Sequence, residues 1–306
     1  MTNSFLALGE CMVELADAGG GLYRRGFAGD TFNTAWYARQ LLPDDWSVAY
    51  GSCIGTDAMS QEMAAFIAGE GIDTACLRPV ADRTVGLYMI SLDRGERSFS
   101  YWRGQSAARA LAEDEDWLAE TMRGRRVIHV SGITFAILPP AHRARLARAL
   151  ATARAGGALV AFDTNLRPRL WESEAAMRDG LTLGASVADV VLPSFDEETL
   201  LFGDATPEAT AERYRAGGAR IVAVKNGAED LTLWDDAGGL RRVPAEKVAE
   251  VVDTTAAGDS FAAGFLAGLA QGHGPDAAAT EAMALAAGVI QERGALVRGL
   301  FDGDAI

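Results

Sequence analysis

The chain has 306 residues, 49% of them hydrophobic and 23% charged, and its formal net charge is −14. That mix belongs to a folded globular chain and excludes disordered and collagen-like classes. The acidic balance argues against nucleic-acid and anionic-membrane partners, which both need a basic footprint.

The N-terminal apolar run, Phe5 to Leu8, is too short for a signal-peptide core. No stretch approaches the roughly 18 apolar residues that span a bilayer. The three cysteines, Cys11, Cys53 and Cys76, have neither a disulfide spacing nor a C-x-x-C knuckle. Free thiols in a reducing cytoplasm are the expectation.

In the first third, Asp30 is placed to cap a helix over Thr31–Leu42, and a second helix is expected over about Ser60–Glu70, stopped by Gly71. From Thr84 to Arg103 the pattern alternates with period two and breaks at Asp93-Arg94-Gly95, which reads as a β-hairpin. Phe99, Tyr101 and Arg103 then share one face. A polar-aromatic hairpin does not suit a buried parallel sheet, so it reads as a separate small sheet and a candidate lid. No Pro/Gly-rich linker isolates it, and the chain is read as one domain.

The rest alternates short apolar runs with helical patterns. Val127–Ser131, Ala158–Asp163, Ala188–Pro193 and Ile221–Lys225 read as strands. Helices are expected from Pro139-Pro140 to Gly156-Gly157 and from Pro207 to Gly217-Gly218, and two Ala-rich helices over about Asp259–Gln271 and Asp276–Glu292. Strands separated by helices predict an α/β fold with a parallel sheet and right-handed crossovers.

Missing motifs narrow the chemistry. There is no G-x-x-x-x-G-K-[ST] loop and no G-x-G-x-x-G after the first strand. The three histidines, His129, His142 and His273, are too scattered for a zinc triad, and His129 reads as a satisfied core histidine.

The segment with most chemical content is Val251-Val252-Asp253-Thr254-Thr255-Ala256-Ala257-Gly258-Asp259-Ser260-Phe261. Ala256, Ala257 and Gly258 would leave amide N–H groups uncovered at a helix N-terminus, where partial positive charge and orphan donors bind anions. A phosphate is the natural guest. Asp259 beside it suits a general base acting on a hydroxyl nucleophile. Alternatively, Asp259 is an N-cap and the small residues merely allow close packing. A serine-hydrolase elbow at Gly258-Asp259-Ser260 lacks its final Gly and a His within reach.

Two signatures now carry a resemblance. Gly29-Asp30-Thr31-Phe32-Asn33 resembles G-G-D-x-x-N, with Ala28 for the first Gly, and Asp253–Asp259 resembles D-T-x-G-A-G-D, with Ala256 for a Gly. The chain resembles the ribokinase-like (PfkB) carbohydrate kinases over nearly its whole length. Gly9-Glu10-Cys11-Met12-Val13-Glu14-Leu15, Arg25-Gly26-Phe27, Gly86-Leu87-Tyr88, Tyr101-Trp102-Arg103 and Asp163–Trp171 are similar to the members that phosphorylate 2-keto-3-deoxygluconate. The resemblance implies a three-layer fold with a mostly parallel central sheet and a small β-sheet lid, its strands drawn from about 10–28 and 84–104. It implies ATP and Mg²⁺, a sugar-acid substrate phosphorylated at its C6 hydroxyl, and a homo-oligomer formed through the lid.

The resemblance also implies roles. Asp259 is the base, and the Ala256, Ala257 and Gly258 backbone is the anion hole. Gly29, Asp30, Asn33, Tyr88, Tyr101, Arg103 and Arg167 face the sugar acid, with an arginine fork matching its carboxylate. Asn165, Arg167, Ser194, Lys225, Gly227, Thr254 and Gly258 face the nucleotide. Glu197 reaches magnesium through water. Asp230 stands where K-x-G-x-x-G would have its second Gly, and Ser194 stands where N-x-x-E has Asn. Kinases of neutral sugars or nucleosides, and a sugar-acid sensor without activity, remain as alternatives. A neutral sugar has no use for a carboxylate partner, and a sensor no use for Asp259.

Overall fold

The structure, a computed structural model, describes residues 2–93 and 96–302. Its strands are β1 (Ser4–Leu8), β2 (Met12–Gly19), β3 (Leu22–Ala28), β4 (Ser47–Ile54), β5 (Leu77–Pro79), β6 (Gly86–Asp93), β7 (Glu96–Trp102), β8 (Val127–Ser131), β9 (Leu159–Asp163), β10 (Val190–Val191), β11 (Ile221–Val224), β12 (Leu231–Asp235) and β13 (Gly239–Val243). Among the described residues they form a nine-stranded sheet in the order β13-β12-β11-β10-β9-β8-β1-β4-β5 and a four-stranded sheet in the order β3-β2-β6-β7.

The large sheet is parallel except at one end, where β12 and β13 pair antiparallel with their neighbours. Its central strands β1, β8, β9, β10 and β11 are short apolar runs almost wholly buried, as a helix-covered parallel sheet requires. Alternate residues serve opposite faces. Val127 and Ala161 pack with the helices Asp30–Leu41, Ala58–Gly69, Ala257–Ala270 and Pro275–Val289. Ile128, Val160 and Phe162 pack with Pro140–Ala155, Glu174–Ser186 and Pro207–Ala216. The result is three layers. The two C-terminal helices approach closely because their facing residues are small: a Cβ at Gly264 would lie 2.9 Å from Ala282 Cα.

The expected hairpin is present as β6 and β7, with Tyr88 opposite Tyr101 and Ile90 opposite Phe99. Its expected turn includes Arg94 and Gly95, which lie outside the described residues. The hairpin is half of the small sheet. β2 pairs in parallel with β6 and antiparallel with β3.

Two expectations change. Asp30 does not cap its helix: Gly29 is the cap, and Asp30 is the first helical residue. The chain enters early because Gly29 presses against the Glu10 carbonyl, which a Cβ would meet at 2.2 Å. His129 is buried in β8, but its Nδ1 has no hydrogen-bond partner among the described residues, and burial lowers its pKa to about 4. It is a neutral core imidazole, not a satisfied one. No described helix is long and apolar enough to cross a membrane. The three cysteines are free and buried.

Candidate active site

The parallel strands β1, β8, β9, β10 and β11 all end at one rim of the large sheet, and the chain leaves them through Glu10, Ser131, Asp163, Ser194 and Lys225. Open α/β sheets gather ligands at the carboxyl ends of their strands. A cleft of about 1090 Å³ opens there, between this rim, the Thr254–Asp259 loop and the aromatic face of the small sheet. Gly29, Asp30, Asn33, Tyr88, Tyr101, Arg103, Asn165, Arg167, Ser194, Glu197, Lys225, Thr254, Ala256, Ala257, Gly258 and Asp259 all line it. Gly227 does not: it sits exposed one turn away, at φ 58°.

The candidate anion hole lies at the start of the Ala257–Ala270 helix. Ala256 is its cap, in the left-handed region at φ 61° and ψ 14°. That turn folds the Ala257 N–H back onto the Thr254 carbonyl at 3.2 Å. The Ala257 amide is therefore engaged, contrary to expectation. The Gly258 and Asp259 amides have no acceptor among the described residues. The loop is braced by Asp253, which accepts from the Thr255 amide and hydroxyl and from the Gly294 amide. This second carboxylate of the loop is thus a brace.

Asp259 Oδ2 accepts from Asn33 Nδ2 at 2.8 Å. Burial, and then the nearby Asp30 carboxylate, push the Asp259 pKa up to about 7 from 3.8. Asp30 accepts from Ser131 Oγ at 2.5 Å and from Asn165 Nδ2 at 2.9 Å. Asn165 lies at φ 33°, which asparagine tolerates better than most residues.

The cations are less free than the sequence suggests. Arg103 Nε donates to the buried Glu10 carboxylate at 2.7 Å. Arg167 donates to Glu197 at 3.0 Å. Lys225 Nζ donates to both oxygens of Asp163, at 3.0 and 3.1 Å. An incoming anion would share each with its present partner. Tyr88 donates to Glu14, and burial and that carboxylate raise its pKa. Glu10, Glu14, Asp163 and Ser131 carry no site role in the sequence reading. Their signal was position: all but Glu14 follow or end a strand at the active rim, and Glu14 lies in the small sheet.

Glu197 also accepts from the Leu166 amide at 3.0 Å, and burial raises its pKa. No group of three His, Cys, Asp or Glu side chains among the described residues could hold a metal. A magnesium ion that arrives with a nucleotide needs no such cage, since it keeps waters and takes one or two carboxylates plus phosphate oxygens. Glu197 fits that donor set.

A two-sheet α/β chain with an amide nest and a raised-pKa acid facing a cleft defines a phosphotransfer site. The pfkB family of carbohydrate kinases matches residues 4–298, and the chain belongs to that family. It is 40% identical over 302 residues to a 2-dehydro-3-deoxygluconokinase of Dickeya dadantii (strain 3937), covering 97% of each chain. It is 39% identical to one from Escherichia coli (strain K12), covering 97% of this chain and 98% of that one. A crystallised PfkB protein from Polaromonas sp. JS666 superimposes with a TM-score of 0.85 at 32% identity, covering 98% of this chain and 99% of that one. The ribokinase-like fold implied by the resemblance is the one observed.

Proposed function

We propose that this chain transfers the γ-phosphoryl group of ATP to the C6 hydroxyl of 2-keto-3-deoxygluconate, giving 2-keto-3-deoxy-6-phosphogluconate and ADP. One observation carries the reading: a carboxyl with a pKa of about 7 stands beside two amides without acceptors, on one wall of a cleft. The substrate assignment rests on the likeness to the two 2-dehydro-3-deoxygluconokinases.

Asp259 accepts the C6 hydroxyl proton as the oxygen attacks. Asn33 holds the acid in place, and Asp30 keeps it from ionising too readily. The Gly258 and Asp259 amides meet the charge on the transferring group in a preorganised array, which is where such sites gain most. Asp30, Asn33 and Tyr88 bind sugar hydroxyls, and Tyr101, Arg103 and Arg167 face the carboxylate. Asn165, Ser194, Lys225 and Thr254 face the nucleotide. Bound Mg²⁺ supplies charge neutralisation on the phosphates, with Glu197 as its protein carboxylate through water.

The small sheet acts as a lid within one domain and excludes water, which would otherwise take the phosphoryl group. Its edges, with Leu22 70% and Trp102 59% exposed, join a second copy of this chain. A cytoplasmic location suits the free thiols.

The test is ADP release by the purified protein with a panel of sugar acids and neutral sugars. Turnover should be highest with 2-keto-3-deoxygluconate. A preference for fructose, ribose or a nucleoside would overturn the substrate assignment.

A further inference from the structure

The charged groups on the cleft wall resolve into pairs. Glu10 holds Arg103, Glu197 holds Arg167 and Asp163 holds Lys225. Asp30 and Asp259 bond to neutral side chains. That leaves Arg169. It lines the cleft and is exposed, and no carboxylate among the described residues lies within ion-pair distance of it.

Its setting is rigid. Arg169 is the middle residue of the 3₁₀ turn Pro168–Leu170, where Pro168 restricts the backbone. The Leu170 amide donates to the Arg167 carbonyl at 2.9 Å and the Trp171 amide to the Pro168 carbonyl at 3.2 Å. Buried Leu166 and Trp171 anchor the turn on either side. The guanidinium is thus presented from a fixed base.

A paired guanidinium brings its own carboxylate, which repels the anion it would bind. An unpaired one offers its whole charge and a fork of donors matched to carboxylate or phosphate oxygens. Both substrates of the proposed reaction are anions, and the chain's charge of −14 opposes their approach. We infer that Arg169 is an oxyanion-binding residue of the cleft, contacting either the sugar-acid carboxylate or a nucleotide phosphate. The inference rests on the kinase reading above.

Calorimetric titration of wild type, Arg169→Ala and Arg169→Lys tests it, with 2-keto-3-deoxygluconate and with ATP plus Mg²⁺ as separate probes. The alanine variant should bind one probe about tenfold more weakly or worse, with partial recovery in the lysine variant. Loss confined to the sugar acid identifies the carboxylate as the partner, and loss confined to ATP identifies a phosphate. Affinities for both probes within about twofold of wild type would overturn the inference and leave the kinase reading intact. Conversely, a wild type that binds both probes but transfers no phosphoryl group defeats the kinase reading, while the variant comparison still decides Arg169. If wild type binds neither probe, both fall.

Discussion

At Asp259 the same surroundings that suit the proposed base also cost stability. Burial and the Asp30 carboxylate raise its pKa from 3.8 to about 7. Below pH about 4 the acid is neutral in both folded and unfolded chains. Between about 4 and 7 the unfolded chain releases the proton and the fold retains it, so stability falls as pH rises and this contribution is lost above about 7. Asp259→Asn should therefore stabilise the protein at pH 8 by roughly 1–3 kcal/mol, and much less at pH 4. Denaturant titration at the two pH values reads this. The same variant should lose about 10²–10⁴ in kcat while sugar binding survives, because general-base catalysis is worth about that much. In wild type, kcat/KM should rise with pH to a limb near 7; a limb near 4 would contradict the environment described. Ala256 is strained at φ 61°. Ala256→Gly should raise stability by about 0.5–1 kcal/mol in chemical denaturation, since an L-residue with a Cβ disfavours this region.

Elements bring the paired charges together. Asp163 ends β9 and Lys225 follows β11, with β10 between them, and their side chains are 5% and 16% exposed. Lys225→Met would leave a buried carboxylate without its counter-ion, and about 3–5 kcal/mol of stability should go with it. The double variant Asp163→Leu with Lys225→Met should recover most of that loss. A double-variant loss equal to the sum of the two single-variant losses would mean the pair is not coupled. A second contact joins the two sheets. A Cβ at Gly86, the first residue of β6, would stand 2.8 Å from Glu10 Oε1 and 3.3 Å from Arg103 Cβ. Gly86→Ala should displace the Glu10–Arg103 pair and raise KM for the sugar acid by about tenfold or more, as misplaced binding groups do. Unchanged KM would remove Arg103 from the substrate's surroundings. Helix ends were legible because Gly-Gly and Pro punctuate them locally, as at Gly156-Gly157 after Pro140–Ala155. The parallel pairing of β2 with β6 was not, since it joins segments with no local signal connecting them.

At the scale of the whole molecule, the small sheet has no strand partner beyond β3 or β7 among the described residues and exposes Leu22 and Trp102. Such edges invite pairing with another chain unless blunted. Sedimentation of the native protein should show a dimer, and Leu22→Asp with Trp102→Asp should shift it to monomer. A wild-type monomer at micromolar concentration would remove the lid-mediated assembly from the proposal.

The sequence by itself determined which segments carry chemistry. Small residues before Asp259 point to uncovered amides there, although the left-handed turn at Ala256 engages the Ala257 amide, and apolar strands between helices point to ligands at strand ends. These are short-range consequences of backbone geometry. Only the tertiary structure decided which charges face each other. Asn33 meets Asp259 across 226 positions, Arg103 meets Glu10 across 93 and Lys225 meets Asp163 across 62. Those distances collapse only when the sheet forms, and the pKa of Asp259 and the availability of each cation depend on that collapse. Hence Asp259 could be proposed from its neighbours in the chain, while the occupied state of Arg103, Arg167 and Lys225 could not.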